Sequence, residues 1–373
     1  MKFVVQVRLF PTPVQEAALA DTLRLCNDAA ALVSGVAWQM KVFRNYDLRA
    51  HSYGELKGMG LSAQPAQHVI KKVADAYTTV RAQVRGKLRP PLAKPIAFRP
   101  DAAQPFDDRC LSWQIEVRTV SIWTTGGRMK GLRFACSDTQ ARALAVHRKG
   151  ESDLIHRDGL WLLIATCDVP DADIIESDAF LGVDLGIANI ATTSDGERHC
   201  GKHLNAVRHR NRRLRRRLQV KQTRSAKRLL KRRRRKESRF ARDLNHRISK
   251  SIVTEAARTG QGIALEDLQG IRDRVRLCKP QRVTLHSWSF HQLGRFVAYK
   301  ARRAGVAVVY VDPAYTSQEC SACGHVDKRN RPDQETFSCT SCGFAEHADV
   351  NAARNIASRA VEGRAAVNQP HVA

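Results

Sequence analysis

Four of the ten cysteines fall close together, as Cys320-Ser321-Ala322-Cys323 and Cys339-Thr340-Ser341-Cys342. Two thiolates from each Cys-x-x-Cys knuckle can share one tetrahedral Zn²⁺ at ~2.3 Å. A glycine follows each knuckle, Gly324 and Gly343, and frees the backbone to turn N–H groups toward sulfur. Buried free cysteines or a redox pair are the plainer readings, and two matched knuckles favour zinc. All four positions are thiols, so no coordination site is left open and the zinc is expected to be structural. Cys26, Cys110, Cys136, Cys167, Cys200 and Cys278 have no partner at metal spacing and read mostly as small core hydrophobes. Three acids form a second candidate group. Asp184 ends the run Gly182-Val183-Asp184, Glu266 ends Ala264-Leu265-Glu266, and Asp349 opens Asp349-Val350-Asn351-Ala352-Ala353-Arg354-Asn355-Ile356. Carboxylates converging from separate elements can hold two divalent ions for phosphodiester hydrolysis. Each also has an ordinary reading, as a turn former at a strand end or, for Asp349, as a helix cap. Asp267 points away from Glu266 if the strand ends there, and Asp195 and Asp273 read as surface or turn residues.

These groups need elements to carry them. Met1 to Arg8 alternates as a strand and lacks a signal-peptide core. Thr12-Pro13-Val14-Gln15 is a helix start, with Thr as N-cap, Pro at the first helical position and Gln three residues past the cap. The spacing predicts a helix from there to about Phe43, and a second from Pro65 to Val84 with Val69, Val73, Tyr77, Val80 and Val84 on one face. Five prolines between Pro90 and Pro105 exclude a continuous helix. Ser112 to Ile122 and Gly131 to Cys136 then alternate with period two, and Asp158-Gly159 marks a hairpin turn. Asp168 to Asp178 reads as a linker. In the second half, strands are expected at Phe180–Asp184, 187–193, Gly262–Glu266 and 306–311. Helices are expected around Phe240 to Thr259 and near Trp288, Leu293 and Val297.

Charge narrows the partner. The formal net charge is +27, and the stretch from Arg198 to Lys236 holds 19 Lys and Arg with no Asp or Glu. Such a local field suits a polyphosphate. A basic membrane-surface helix would need an apolar face, for which only a few leucines and one valine are available. No apolar run approaches the ~20 residues that span a bilayer. An intracellular, cytoplasmic and nucleoid-associated protein is expected, and ten cysteines in a reducing compartment argue against a disulfide framework. Arg212, Arg213, Arg215, Arg216 and Arg217 cannot all face one side of a helix; a phosphate-binding element and a solvated, partly disordered arm both stay open. No aromatic residue falls in the stretch, so phosphate contact rather than base stacking is the term available.

Phe180 to Gly196 (FLGVDLGIANIATTSDG), Ile263 to Gly270 (IALEDLQG) and Tyr315 to Ile356, with its split cysteine knuckles followed by DVNAARNI, resemble the TnpB/OrfB family of transposon-associated proteins, related to compact type V CRISPR nucleases. The start, RLFPTPVQEAAL, is similar to that family's N-terminus. The resemblance implies an α/β multidomain protein. It would hold a ribonuclease-H-like (RuvC) nuclease domain at 171–315 and 344–361, with an inserted zinc ribbon at 316–343. An N-terminal β-barrel at 1–11 and 97–170 would carry a helical insertion at 12–96, and 362–373 would be a mobile tail. The implied activity is RNA-guided cleavage of double-stranded DNA beside a short motif, with guide RNA and target DNA as partners and no membrane. Asp184, Glu266 and Asp349 would hold Mg²⁺ or Mn²⁺, with Asp184 bridging two ions. Cys320, Cys323, Cys339 and Cys342 would hold Zn²⁺, and Arg212, Arg213, Arg215, Arg216 and Arg217 would contact nucleic acid. Many members carry Asp-Arg-Asp before Asn-Ala-Ala; here His347-Ala348-Asp349 lacks the first acid, and the last one is assigned as the ligand. A non-cleaving RNA-guided DNA-binding protein and an unguided zinc-ribbon accessory protein remain alternatives, and monomer and homodimer are both open.

Overall fold

The computed structural model describes residues 1–268 and 290–363. Asp273, Cys278, Trp288 and nearly all of the expected tail lie outside the described residues. The chain divides after Pro170 into two units.

The first unit opens with β1 (Lys2–Phe10), α1 (Pro13–Met40), α2 (Asn45–Gly58) and α3 (Ala63–Arg85). Then come β2 (Gln104–Phe106), β3 (Leu111–Gln114), β4 (Thr119–Thr124), β5 (Gly127–Ala135), α4 (Asp138–His147), β6 (Arg148–Arg157) and β7 (Leu160–Asp168). The seven strands form one sheet in the order β2-β6-β7-β1-β5-β4-β3, all pairs antiparallel, curled into a nearly closed barrel. Alternation decides which side faces in: Val5, Val7 and Leu9 of β1 are buried, while Gln6, Arg8 and Phe10 are exposed. The inward residues meet Phe106, Leu132, Leu154 and Leu163 in one core. The three helices pack around a second core built on Cys26, Val33, Leu48, Val69 and Tyr77.

Local signals explain most of these boundaries. Thr12 accepts from Gln15 N–H while the Gln15 side chain returns to the Thr12 amide, closing a capping box at the start of α1. The β6–β7 hairpin turns through Asp158 and Gly159, at φ 58° and 74°. Four features depart from expectation. The first helix stops at Met40 because Lys41 adopts a left-handed conformation. The polar α2 follows, burying only Leu48, Ser52 and Leu56, too few to register as periodicity. The alternating run from Ser112 to Ile122 is two strands, broken by a turn in which Arg118 takes φ 54°. Helix α4 was not expected, although its own Ser137–Gln140 capping box announces it.

The second unit holds β8 (Phe180–Asp184), β9 (Asn189–Thr193), β10 (Arg198–Cys200), α5 (Lys202–Lys221), α6 (Arg224–Thr259), β11 (Gly262–Glu266), α7 (Phe290–Ala304) and β12 (Val308–Val311). It ends with the short hairpin β13 (Thr336–Ser338) and β14 (Ala345–His347), then α8 (Ala348–Glu362). Its main sheet has the order β10-β9-β8-β11-β12. β8, β11 and β12 run parallel, and β9 and β10 add antiparallel on one side. Leu181, Val183, Ile263 and Leu265 face Ile248, Ile252 and Val297 of α6 and α7. On the other face Phe180, Ala264, Val309 and Val311 meet Ile356 and Ala360 of α8. This is a ribonuclease-H-like layer structure, and its strands read as continuous apolar runs because both faces are covered.

The tightest joint lies between β8 and α8. A methyl group placed on Gly182 would overlap the carbonyl oxygen of Ala353 and lie 2.7 Å from the amide nitrogen of Ala357. Both obstacles are backbone, so neither can swing aside. We expect Gly182→Ala to destabilise the second unit by roughly 3 kcal/mol or more, read as a lowered denaturation midpoint of that unit. In the first unit, Lys72 Nζ is buried against Asn27 Oδ1 at 2.6 Å and Gln104 Oε1 at 3.4 Å. Burial pulls its pKa down from 10.5 to about 8. The folded state therefore sheds this proton near pH 8, whereas the unfolded chain keeps it to pH 10.5. Stability relative to Lys72→Met should rise with pH across that window, by up to about 1.4 kcal/mol per pH unit, in paired denaturation curves from pH 7 to 10.

Candidate active site

Asp184 is the last residue of β8 and Glu266 the last of β11. The two strands are parallel neighbours with Val183 opposite Leu265, so their C-terminal carboxylates emerge side by side. Asp349 sits in the first turn of α8, whose N-terminus lies at the same end of the sheet, and only 8% of it is exposed. The structure therefore brings the three sequence-predicted acids into one neighbourhood. Burial, followed by the negative charges of Glu266 and Asp349, pushes the Asp184 carboxyl well above the usual carboxylate range. Burial also raises Glu266, against a lowering contribution from Thr316. A cluster of hard oxygen donors that repel one another is the donor set suited to a divalent cation such as Mg²⁺. Asp267, beside Glu266, is tied through its amide to Val311 O. Asp195 lies exposed in the turn after β9, as expected for a turn residue.

Several residues outside the three acids hold them in place. Asn189 Nδ2 donates to Asp349 Oδ2 at 2.9 Å, and Arg331 Nη2 donates to Asp349 Oδ1 at 3.2 Å. Thr316 Oγ1 donates to Glu266 Oε1 at 2.6 Å. The asparagines of the α8 motif then peg the segment that carries Thr316. Asn355 Nδ2 donates to Thr316 O at 2.9 Å and Glu319 O at 2.7 Å, and Asn351 Nδ2 donates to Glu319 O at 2.7 Å. Asn351 Oδ1 also accepts from the Ser321 amide at 2.9 Å. The residues of the Asp-Val-Asn-Ala-Ala-Arg-Asn-Ile run thus act on different neighbours. Asp349 joins the acidic cluster, Ala353 abuts Gly182, Asn351 and Asn355 hold the 316–321 segment, and Ile356 enters the core. Asn189, Thr316 and Arg331 were missed in the sequence because each is a single polar residue in a loop or strand end, without period or spacing to single it out.

The four knuckle cysteines converge. Cys320 and Cys342 Sγ lie 3.7 Å apart, Cys323 and Cys339 Sγ 3.6 Å, and all four sulfurs lie within 4.8 Å of one another. Four thiolates at ~2.3 Å from one tetrahedral ion would be separated by about 3.8 Å. Gly324 and Gly343 take φ 74° and 73°, the left-handed turn each knuckle needs. The amides of Ser341 and Cys342 aim at Cys339 Sγ, both at 3.4 Å, and such donors pull that thiol down to about 6. Arg331 leaves this cysteine module to reach Asp349, so the module and the acidic cluster are joined by a direct ion pair.

The basic stretch forms a helical hairpin of α5 and α6. Leu214 and Leu218 of α5 and Leu230 of α6 line the cleft between the two helices, and Arg215 pairs with Glu237 at 3.1 Å. Arg212, Arg213, Arg215, Arg216 and Arg217 are all exposed. Helical order, rather than an unstructured arm, carries this charge.

Comparison with known proteins follows these lines. Residues 167–269 match the OrfB_IS605 family model, described as a probable transposase, and residues 290–356 match the Cas12f1-like TNB domain model. Over these two stretches the chain is similar to TnpB-like and Cas12f-like proteins. The CRISPR-associated endodeoxyribonuclease Cas12f1 of Sulfoacidibacillus thermotolerans is 46% identical over 114 residues, 30% of this chain and 26% of that protein. TnpB-like protein MJ0751 of Methanocaldococcus jannaschii is 36% identical over 122 residues, 32% of this chain and 43% of its own length. The matches thus span less than half of either relative. A solved structure of the mini-RNA-guided endonuclease CRISPR-Cas_phi3 shares the fold at TM-score 0.52 and 12% identity, covering 100% of this chain and 93% of that one. No helix among the described residues is long and apolar enough to cross a membrane.

Three carboxylates crowded around the guanidinium of Arg331 work against the fold. We expect Asp184→Asn, measured without divalent ions at neutral pH, to melt above the parent by the equivalent of about 1–3 kcal/mol. A lower melting point would remove electrostatic repulsion from the account of this site.

Proposed function

We propose that this chain is an RNA-guided DNA endonuclease that cuts its target with the acids of the second unit. The reading rests above all on one observation: Asp184, Glu266 and Asp349 arrive from two strands and a helix at one end of the sheet, close enough that the latter two raise the carboxyl of the first. The family-model matches and the Cas12f1 relative support the reaction class, and the exposed arginines of α5 would supply sequence-independent attraction to phosphate. Sequence choice would fall to pairing between guide RNA and target strand, with the first unit gripping the guide and a short motif beside the target. In this reading the barrel comprises 1–11 and 97–170, the helical insertion 12–96, the nuclease domain 171–315 and 344–361, and the ribbon 316–343.

Asp184, Glu266 and Asp349 would hold Mg²⁺ or Mn²⁺, which when bound lowers the pKa of an attacking water and stabilises the leaving 3′-oxygen. The protein's own part is positional. Thr316 fixes the Glu266 rotamer, Asn189 fixes Asp349, and the Gly182–Ala353 contact fixes the distance between β8 and α8. Arg331 brings a guanidinium to the rim of the acidic cluster, where it neutralises Asp349 in the resting state and is placed to meet a phosphate oxygen. Cys320, Cys323, Cys339 and Cys342 would hold one structural Zn²⁺, which keeps the loop bearing Arg331 folded.

The test is cleavage of duplex DNA matching the RNA that co-purifies with the protein, in Mg²⁺. The parent should cut. Asp184→Ala, Glu266→Gln and Asp349→Asn should each lose roughly 10³-fold or more in rate while still retaining the RNA. Cys339→Ser should lose the zinc of the cysteine module and most cleavage but keep the guide. Parent protein that binds matched DNA and leaves it intact would make the chain a guided binding protein; purification without a defined RNA would overturn guided recognition.

A further inference from the structure

We infer that the first unit holds a second metal site, formed by His68, Asp107 and Cys110. None of these residues was singled out for metal by its spacing, because the ligands come from two elements distant in sequence. His68 lies on α3; Asp107 and Cys110 open and close the tight turn between β2 and β3. One ligand atom from each lies within 4.8 Å of the other two. His68 is 3% exposed and Cys110 4% exposed, so solvent does not account for either.

The hydrogen bonding leaves the imidazole under-used. His68 Nδ1 is buried and has no hydrogen-bond partner among the described residues. His68 Nε2 faces Asp107 Oδ2 at 3.6 Å, too far for a hydrogen bond, and the Gln64 amide nitrogen at 3.5 Å. A buried imidazole that makes no good hydrogen bond costs free energy. Asp107 is held by its surroundings: Oδ1 accepts from the amides of Arg109 at 3.1 Å and Cys110 at 3.2 Å, and Oδ2 from Gln64 at 2.8 Å and Arg109 Nε at 3.0 Å. The turn thus presents Asp107 and Cys110 three residues apart in fixed geometry, as a metal knuckle does.

The donor set selects the ion. Imidazole nitrogen, thiolate sulfur and carboxylate oxygen together suit Zn²⁺, with bond lengths of about 2.0–2.3 Å and donor separations of about 3.3–3.8 Å. Contraction of the cluster by about 1 Å reaches that spacing. Gln64, one helical turn before His68, can supply the fourth donor, because its amide oxygen and nitrogen exchange places by a flip. One thiolate and one carboxylate balance Zn²⁺, and the Arg109 guanidinium that pairs with Asp107 is largely exposed, so its charge is left to solvent. Bound there, the ion would tie α3 to the β2–β3 turn.

Metal content of the purified full-length chain tests this independently of cleavage. After equilibration with Zn²⁺ and removal of excess, the parent should retain two Zn²⁺ per chain. Cys110→Ser and the smaller Cys110→Ala should retain one, and Cys339→Ser should retain the one at His68, Asp107 and Cys110. Added to Cys339→Ser, Co²⁺ should give tetrahedral visible bands with a single-thiolate charge-transfer feature, lost in the Cys339→Ser/Cys110→Ala double variant. Circular dichroism checks that each variant is folded. One Zn²⁺ per chain in both the parent and Cys110→Ala, or no cobalt bands in Cys339→Ser, would overturn the site and leave these residues as a metal-free polar seam.

Discussion

The acidic cluster depends on how closely a strand and a helix can approach. Gly182 has no side chain, and the backbone of α8 at Ala353 and Ala357 occupies the space where one would be. Two residues later on the same strand comes Asp184; four residues earlier on the same helix comes Asp349. The distance between those carboxylates is therefore set by backbone contact rather than by flexible side chains, which is the rigidity that a shared-ion site requires. The flanking hydrogen bonds from Asn189 and Thr316 refine what this contact establishes.

The charges brought together this way oppose folding on their own account. Three acids share a partly buried corner, and one of them, Asp184, is driven toward its neutral form by burial first and then by the charges of the other two. The surrounding structure absorbs that cost through continuous apolar packing on both faces of the sheet and through the Arg331 ion pair from the cysteine module. In the proposed function these carboxylates would await an ion, and function and stability would pull apart here.

Much of this was legible in the sequence, for identifiable reasons. Capping chemistry at Thr12, the Asp158-Gly159 turn, the buried strand ending in Asp184 and the amphipathic stretch ending at Thr259 each follow from local rules. The cysteine knuckles are legible because their spacing is dictated by one ion's coordination sphere. What stayed hidden depends on contacts between distant segments. Helix α2 buries too little to show a period. Arg118 breaks an alternating run that pattern alone would continue. Asn189, Thr316 and Arg331 have meaning only once the sheet, the α8 motif and the cysteine module have met. Cys110 sits in the first unit's hydrophobic core as read, but its nearness to His68, forty-two positions earlier, could not show in spacing.

Helix α6 has a mechanical corollary. It runs unbroken for 36 residues, about 54 Å at the usual rise, from the arginine-studded tip of the hairpin to the glycine before β11. Its outer half touches mainly α5, whereas its inner half is clamped against the sheet through Ile248, Ile252 and Ala256. A rod anchored at one end and gripped at the other is a lever. Any load placed on the outer turns would therefore be borne by the packing beneath the strand that ends in Glu266.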